Sequence, residues 1–359
     1  MVEEAQNPTD RMSWLKRLGI VSKYSFSTSQ AAILVGLVVF LLVTFVLASM
    51  TGALWLPLFD IVWNPSSFDI ERTIFFQLRM PKVLMAGVVG ATLALAGACL
   101  QGMFRNPLAD PGLLGVASGA ALGATSFIVL GGYLPFPNWF EPYGLPVAAA
   151  IGATLVTLFL YAFTRRQGRL NLVTLILVGI AINAMGGVGL GLLQYASDDN
   201  QLRSLTFWMM GSFGRSTWDA IIPAFFIMAP ASYFLLRSVR SLDLLQLGDG
   251  EARNLGIDVH RVRKSIVFGV AAIVGAGVAI VGMIGFVGLV VPHIVRLLGG
   301  PIHRYVIPAS ALLGASTLIL ADLISRTIVV PAELPVGLVT AFIGSPCLLW
   351  LLLKTRIHS

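Results

Sequence analysis

"AAILVGLVVFLLVTFVLASM", Ala31 to Met50, runs for twenty residues without a charge. An α-helix rises about 1.5 Å per residue, so about twenty apolar residues cross the roughly 30 Å hydrocarbon core of a bilayer. No water reaches the backbone there, and the run must be helical to satisfy its own N–H and C=O groups. Runs of this kind recur along the whole chain. Only 11% of the 359 residues are charged and 57% are hydrophobic, and the mean hydropathy is +0.86. Such a composition predicts an all-α polytopic membrane protein.

Charge-free stretches place candidate spans near 31–50, 83–103, 113–131, 144–164, 170–195, 219–236, 265–281, 284–299, 306–324 and 335–353. The uncharged stretch Ser265 to Val295 is too long for one straight helix and short for two. "GMIGFVGLVVPH", Gly282 to His293, is its expected break, because glycine and proline interrupt helices. Ten spans with an inside N-terminus put 18 of the 24 Lys and Arg on the inside. That asymmetry is what the positive-inside rule requires, and it favours about ten transmembrane helices with both termini cytoplasmic. Residues 1–29 then form a cytoplasmic tail carrying Arg11, Lys16, Arg17 and Lys23, with no signal-peptide pattern. Residues 30–355 form a single membrane domain.

Small residues repeat at four-residue spacing in "GVVGATLALAGACLQG", Gly87 to Gly102. Helices in lipid associate by close backbone approach at such residues, so this helix is expected to be buried. "ASGAALGA" from Ala117 and "ASALLGA" from Ala309 form a faint internal echo. The net charge of +7 follows from basic cytoplasmic loops and needs no nucleic acid. Cys99 and Cys347 lie far apart in apolar segments and indicate neither a disulfide nor a metal site. His260, His293, His303 and His358 lack metal-ligand spacing, and no triad or phosphate loop can be assembled. Enzymatic chemistry and nucleotide binding are therefore not expected of this chain. The spans hold almost no ionisable groups, whereas ion-coupled carriers usually need them within the membrane, so the driving energy should come from outside the chain.

One segment breaks the apolar pattern. "LGDGEARNLGIDVHRVRK", Leu247 to Lys264, packs seven charged residues into eighteen positions on the inside face. Glu251 to Asn254 can form a short helix punctuated by Gly248, Gly250 and Gly256. Two readings are open from composition: a solvated loop, or a docking surface for a soluble partner that supplies energy.

Six stretches carry a resemblance over about residues 30–355: "LRMPKVL" (Leu78–Leu84), "LQGMFRNPLADPGLLGVASGAALGA" (Leu100–Ala124), "FWMMGSF" (Phe207–Phe213), "LGDGEARNLGI" (Leu247–Ile257), "GFVGLVVPHIVRLLGG" (Gly285–Gly300) and "PAELPVGLVTAFIGSPCLLWLL" (Pro331–Leu352). They resemble the FecCD family, permease subunits of binding-protein-dependent ABC importers for iron-siderophores, haem and cobalamin. The resemblance implies a homodimer in the bacterial inner membrane, two ATP-binding cassette ATPase subunits below it and a periplasmic substrate-binding protein above. This chain would bind no cofactor itself, and ATP and Mg would belong to the ATPase subunits. The implied cargo is an iron chelate, with haem ahead of siderophores and cobalamin third. A secondary transporter working alone is the alternative outside the family.

The same resemblance distributes roles. Residues 239–262 would form the coupling segment, with a short cytoplasmic helix whose contacts come from Gly248, Asp249, Glu251, Ala252, Arg253, Leu255 and Gly256. Arg79, Lys82 and Arg326 match positions that present basic side chains to the binding protein, with lipid-headgroup anchoring as the alternative. Lys82 departs from the commoner Arg and offers a point charge in place of a fork. Asn106, Pro107, Leu108, Asn171, Leu172 and Val173 would narrow the path on the cytoplasmic side, or be plain turns. Arg203 would face the substrate in the outer vestibule, or pair locally with Asp198 and Asp199.

Overall fold

The computed structural model describes residues 26–52, 54–57, 69–133, 135–137, 140–165, 171–330 and 332–356. The tail expected at residues 1–29 lies outside the described residues except for its last four, and so does most of the basic loop at 166–170. The described chain is helical throughout, with no strand. In order come α1 (Thr28–Met50), α2 (Met80–Phe104), α3 (Val116–Leu130), α4 (Glu141–Arg165) and α5 (Leu172–Tyr195). They are followed by α6 (Asp199–Met209), α7 (Trp218–Arg237), α8 (Val239–Leu245) and α9 (Asp249–Asn254). The chain closes with α10 (Val259–Val281), α11 (Val287–Gly299), α12 (His303–Ser325) and α13 (Val336–Arg356).

Each expected span falls on one of these helices. Eight are long and apolar enough to cross a membrane, and α11 and the apolar part of α13, Val336–Trp350, are shorter. The break expected after Val281 is present: Gly282 adopts φ +75° and Phe286 φ +68°. A side chain on Gly282 would also meet the Trp208 carbonyl at 2.1 Å, so only glycine fits there. The opened turn is not left unpaired, because the Ser212 N–H donates to Val281 O at 2.8 Å and the Gly337 N–H to Met210 O at 3.0 Å. Segment 210–212 thereby ties the end of α10 to the start of α13.

α2, α10 and α12 form the mostly buried centre, while α1 lies largely exposed at the rim. α2 does carry the close approaches its small residues predict. A Cβ on Gly97 would lie 1.8 Å from Gly288 O of α11, and one on Gly90 would lie 2.2 Å from Gly314 O of α12. α3 packs on α4 in the same way, with Gly152 against Gly119 O. α5 packs on α3 and on the 3₁₀ turn Pro111–Leu114, and leaves a long apolar face uncovered.

Candidate functional site

The charged segment forms a protrusion built on α8, α9 and the start of α10. Gly248 and Gly256, at φ +111° and +84°, bracket α9 and let the chain reverse on either side of it. Asp258 caps α10 by accepting the Arg261 N–H at 3.0 Å. That hydrogen bond first, and then the nearby Arg261 and His260 charges, hold its carboxyl below the usual range. Glu251, Arg253, Leu255 and Gly256 are exposed. Leu247 and Leu255 present apolar surface beside these charges, 62% and 45% exposed.

Two of the residues expected to make contacts do something else. Ala252 is fully buried beneath α9 and serves packing. The Asp249 carboxylate is taken up within the chain, by Arg105 at the end of α2 and Arg263 on α10, each at 2.8 Å. Ala252 offers no surface, while Asp249 stays 32% exposed beside its two arginines.

At the opposite end lie the three basic residues expected to meet a binding protein. Arg79 and Arg326 are buried, not presented. Arg79 donates to Ser49 O at 3.2 Å, Met50 O at 2.7 Å and Leu54 O, while Arg326 donates to Ala48 O at 2.6 Å. These are carbonyls at and just beyond the last turn of α1, which a helix leaves unpaired and which carry its negative dipole end. Arg326 also lies 3.2 Å from Asp322, a fully buried carboxylate inside α12 that the expectation of nearly charge-free spans passed over. Lys82 reaches both carboxylate oxygens of Glu333 at 2.7 Å and lies 3.8 Å from Asp322. All three basic groups thus have partners within the chain, and only Lys82 approaches the surface.

The gate candidates form two capped turns. Asn106 Oδ1 accepts the Leu108 N–H, and Asn171 Oδ1 accepts the Val173 N–H, both at 2.9 Å. Asn106, Pro107, Leu108, Asn171 and Val173 are exposed and Leu172 is half-buried. Asn183 of α5 joins the two regions by donating to Gly112 O at 3.0 Å. Near the outer entrance, Asp198 caps α6 in a reciprocal box with Gln201. Among the described residues no ion pair joins Arg203 to Asp198 or Asp199. Its guanidinium instead lies over the Phe207 ring, 5.9 Å from the centroid, and is exposed.

Central small-residue crossings, a helix broken at mid-course and a charged protrusion built on glycines define a multi-pass membrane protein of the transporter kind. The chain belongs to the FecCD transport family, whose model matches residues 37–354. It is 44% identical over 330 residues to the hemin transport system permease protein HmuU of Yersinia pestis, covering 91% of this chain and 97% of that protein. It is 40% identical over 311 residues to the vitamin B12 import system permease protein BtuC of Vibrio cholerae, covering 87% and 90%. A solved metal-chelate type ABC transporter in an inward-facing conformation superposes with a TM-score of 0.81 at 35% identity, covering 90% of this chain and 99% of that one.

Proposed function

We propose that the chain is the membrane-spanning permease subunit of an ABC importer in the bacterial inner membrane, moving an iron chelate, haem first, from a periplasmic binding protein to the cytoplasm. The near full-length likeness to a hemin permease carries this reading. Cobalamin is the second reading, favoured by the 40% identity to a vitamin B12 permease. Energy comes from separate ATPase subunits that hold ATP and Mg, since no phosphate-binding loop is present in the sequence. The α8–α9 protrusion, residues 239–262, is the part of the single membrane domain that meets them. Glu251 and Arg253 supply polar contacts there, and Leu247 and Leu255 fill apolar hollows in the partner.

Basic residues on the protrusion's side keep it cytoplasmic. The exposed apolar face of α5, including Leu177, Val188 and Leu192, and that of α13, including Phe342, suit a second copy of the chain. The path then runs between the two copies, closed at the cytoplasmic side by Asn106–Leu108 and Asn171–Val173. Arg203 at the outer mouth offers a planar cation to carboxylates of the cargo. Lys82 is the group left for binding-protein docking, where a partner carboxylate would have to compete with Glu333.

Proteoliposomes test the assignment. Hemin delivered by its binding protein should enter only when the ATPase subunits and ATP are supplied, and an ion gradient should not replace them. Uptake by the chain alone under a proton or sodium gradient would make it a carrier.

A further inference from the structure

We propose that the Arg105–Asp249 bridge is the strut through which the ATPase-facing segment drives the cytoplasmic gate, a role that rests on the importer reading above. Asp249 is the first residue of α9, and its carboxylate is held from two sides. Arg263, buried on α10, donates to Oδ1 and lies equally close to Oδ2, both at 2.8 Å, and Arg105 donates to the same Oδ1 at 2.8 Å. The segment is fastened at two further points. Gln246 donates to Gly102 O of α2 at 3.0 Å. Asp243 of α8 accepts the His303 backbone N–H and faces its Nδ1, both at 2.8 Å, at the start of α12. The protrusion therefore moves as one piece with the cytoplasmic ends of α2, α10 and α12.

Arg105 is the outlet from that piece. It is the C-cap of α2, at φ +52°, a left-handed conformation that non-glycine residues seldom hold without being fixed by their surroundings. The chain leaves it straight into the gate turn. The Asn106 N–H donates to Gln101 O at 3.1 Å, Asn106 caps Leu108, and the Ala109 N–H donates to Asn106 O at 3.1 Å. Asp110 then accepts the Gly112 N–H at 2.7 Å, and Asn183 of α5 donates to Gly112 O. Ser118 of α3 donates to the same Asn183 at 2.6 Å. A Cβ on Gly179 of α5 would lie 1.8 Å from Leu113 O, so helix and turn are in direct backbone contact.

Hydrogen bonds and the covalent chain together link Asp249 through Arg105 to α5, the helix that begins with the second gate stretch. Packed elements joined in this way shift between discrete arrangements and do not deform smoothly, so displacement of α9 reaches α5 as a shift of the turn. Arg105 is a positioning residue in this scheme. It keeps no contact with the cargo.

The test is the ratio of hemin transported to ATP hydrolysed, measured in proteoliposomes holding the complete complex with hemin-loaded binding protein. Arg105→Ala leaves the Arg263–Asp249 bridge in place, so it should fold, retain the ATPase subunits on purification and hydrolyse ATP. Its transport per ATP should fall at least about fivefold, the low end of coupling between distant sites. Arg105→Lys should recover part of the loss, and adding Arg105→Ala to Asp249→Ala should cost nothing more. An unchanged ratio in Arg105→Ala, or equal losses that add in the double variant, would overturn the strut. Loss of the ATPase subunits by Arg105→Ala would make it a docking residue and overturn it equally. If the unaltered chain retains no ATPase, the importer reading fails and takes the strut with it.

Discussion

Arg79 shows how one side chain can carry a family pattern and still serve the fold. It is buried, and its guanidinium spreads over three carbonyls at and beyond the end of α1. Removing it leaves Ser49 O and Leu54 O without this donor, while Met50 O keeps the Leu56 N–H at 3.0 Å, and hydrogen bonds to charged groups are worth about 1.5–3 kcal/mol each before compensation. Arg79→Ala should therefore lower unfolding stability in detergent by roughly 3 kcal/mol, with binding-protein affinity per folded molecule unchanged. A weaker affinity at full stability would return Arg79 to the docking surface. Arg203 is the opposite case: it is exposed, its only described contact is the Phe207 ring, and removing it costs the fold nothing. Arg203→Ala should lower hemin uptake about tenfold, the scale of one charge-assisted hydrogen bond, while folded yield stays normal. Normal uptake would detach this residue from the cargo.

At the level of the helix, α2 is the element whose sequence and structure agree most closely. Its small residues at four-residue spacing bring its backbone against α11 at Gly97 and against α12 at Gly90. Gly97→Val should abolish correct packing, because its Cβ would overlap Gly288 O at 1.8 Å, well beyond the strain behind the ~1–3 kcal/mol usual for overpacking. Gly36→Val on α1, where nothing lies within 4 Å, should be neutral. Folded yield by size-exclusion chromatography separates the two, and equal yields would mean that α2 is not held by backbone contact. The π-helical turn Ile74–Arg79 ahead of α2 and the amphipathic α6 gave no hydropathy signal. Both lie at span ends, where composition is mixed and length rules do not apply.

For the whole molecule, the proposed pairing of two chains places the uncovered apolar faces of α5 and α13 against the second copy. Phe342 is 82% exposed and Tyr195 92% exposed, and two helices of one chain with bare apolar faces suit burial against a second copy. The detergent-corrected mass should correspond to two chains, and Phe342→Glu should shift it to one. A single chain in the unaltered protein would assign these faces to lipid.

The sequence alone determined where the apolar helices lie, the break between α10 and α11 and the place of the charged protrusion. Each of these is set by local rules: uncharged length, glycine and proline punctuation, and the cost of burying charge in lipid. The resemblance put Asn106 and Asn171 at a cytoplasmic gate or plain turns, and the capping by both Asn side chains came from the structure. What the sequence left undecided was the destination of the charges. Arg79, Arg326 and Asp249 read as contact residues because the family resemblance assigned them that role and no local pattern shows their partners. Only tertiary structure brings Ala48 to Arg326, 278 positions away, or Arg105 to Asp249, 144 positions away. Partners at that separation are chosen by helix packing, which no local pattern encodes.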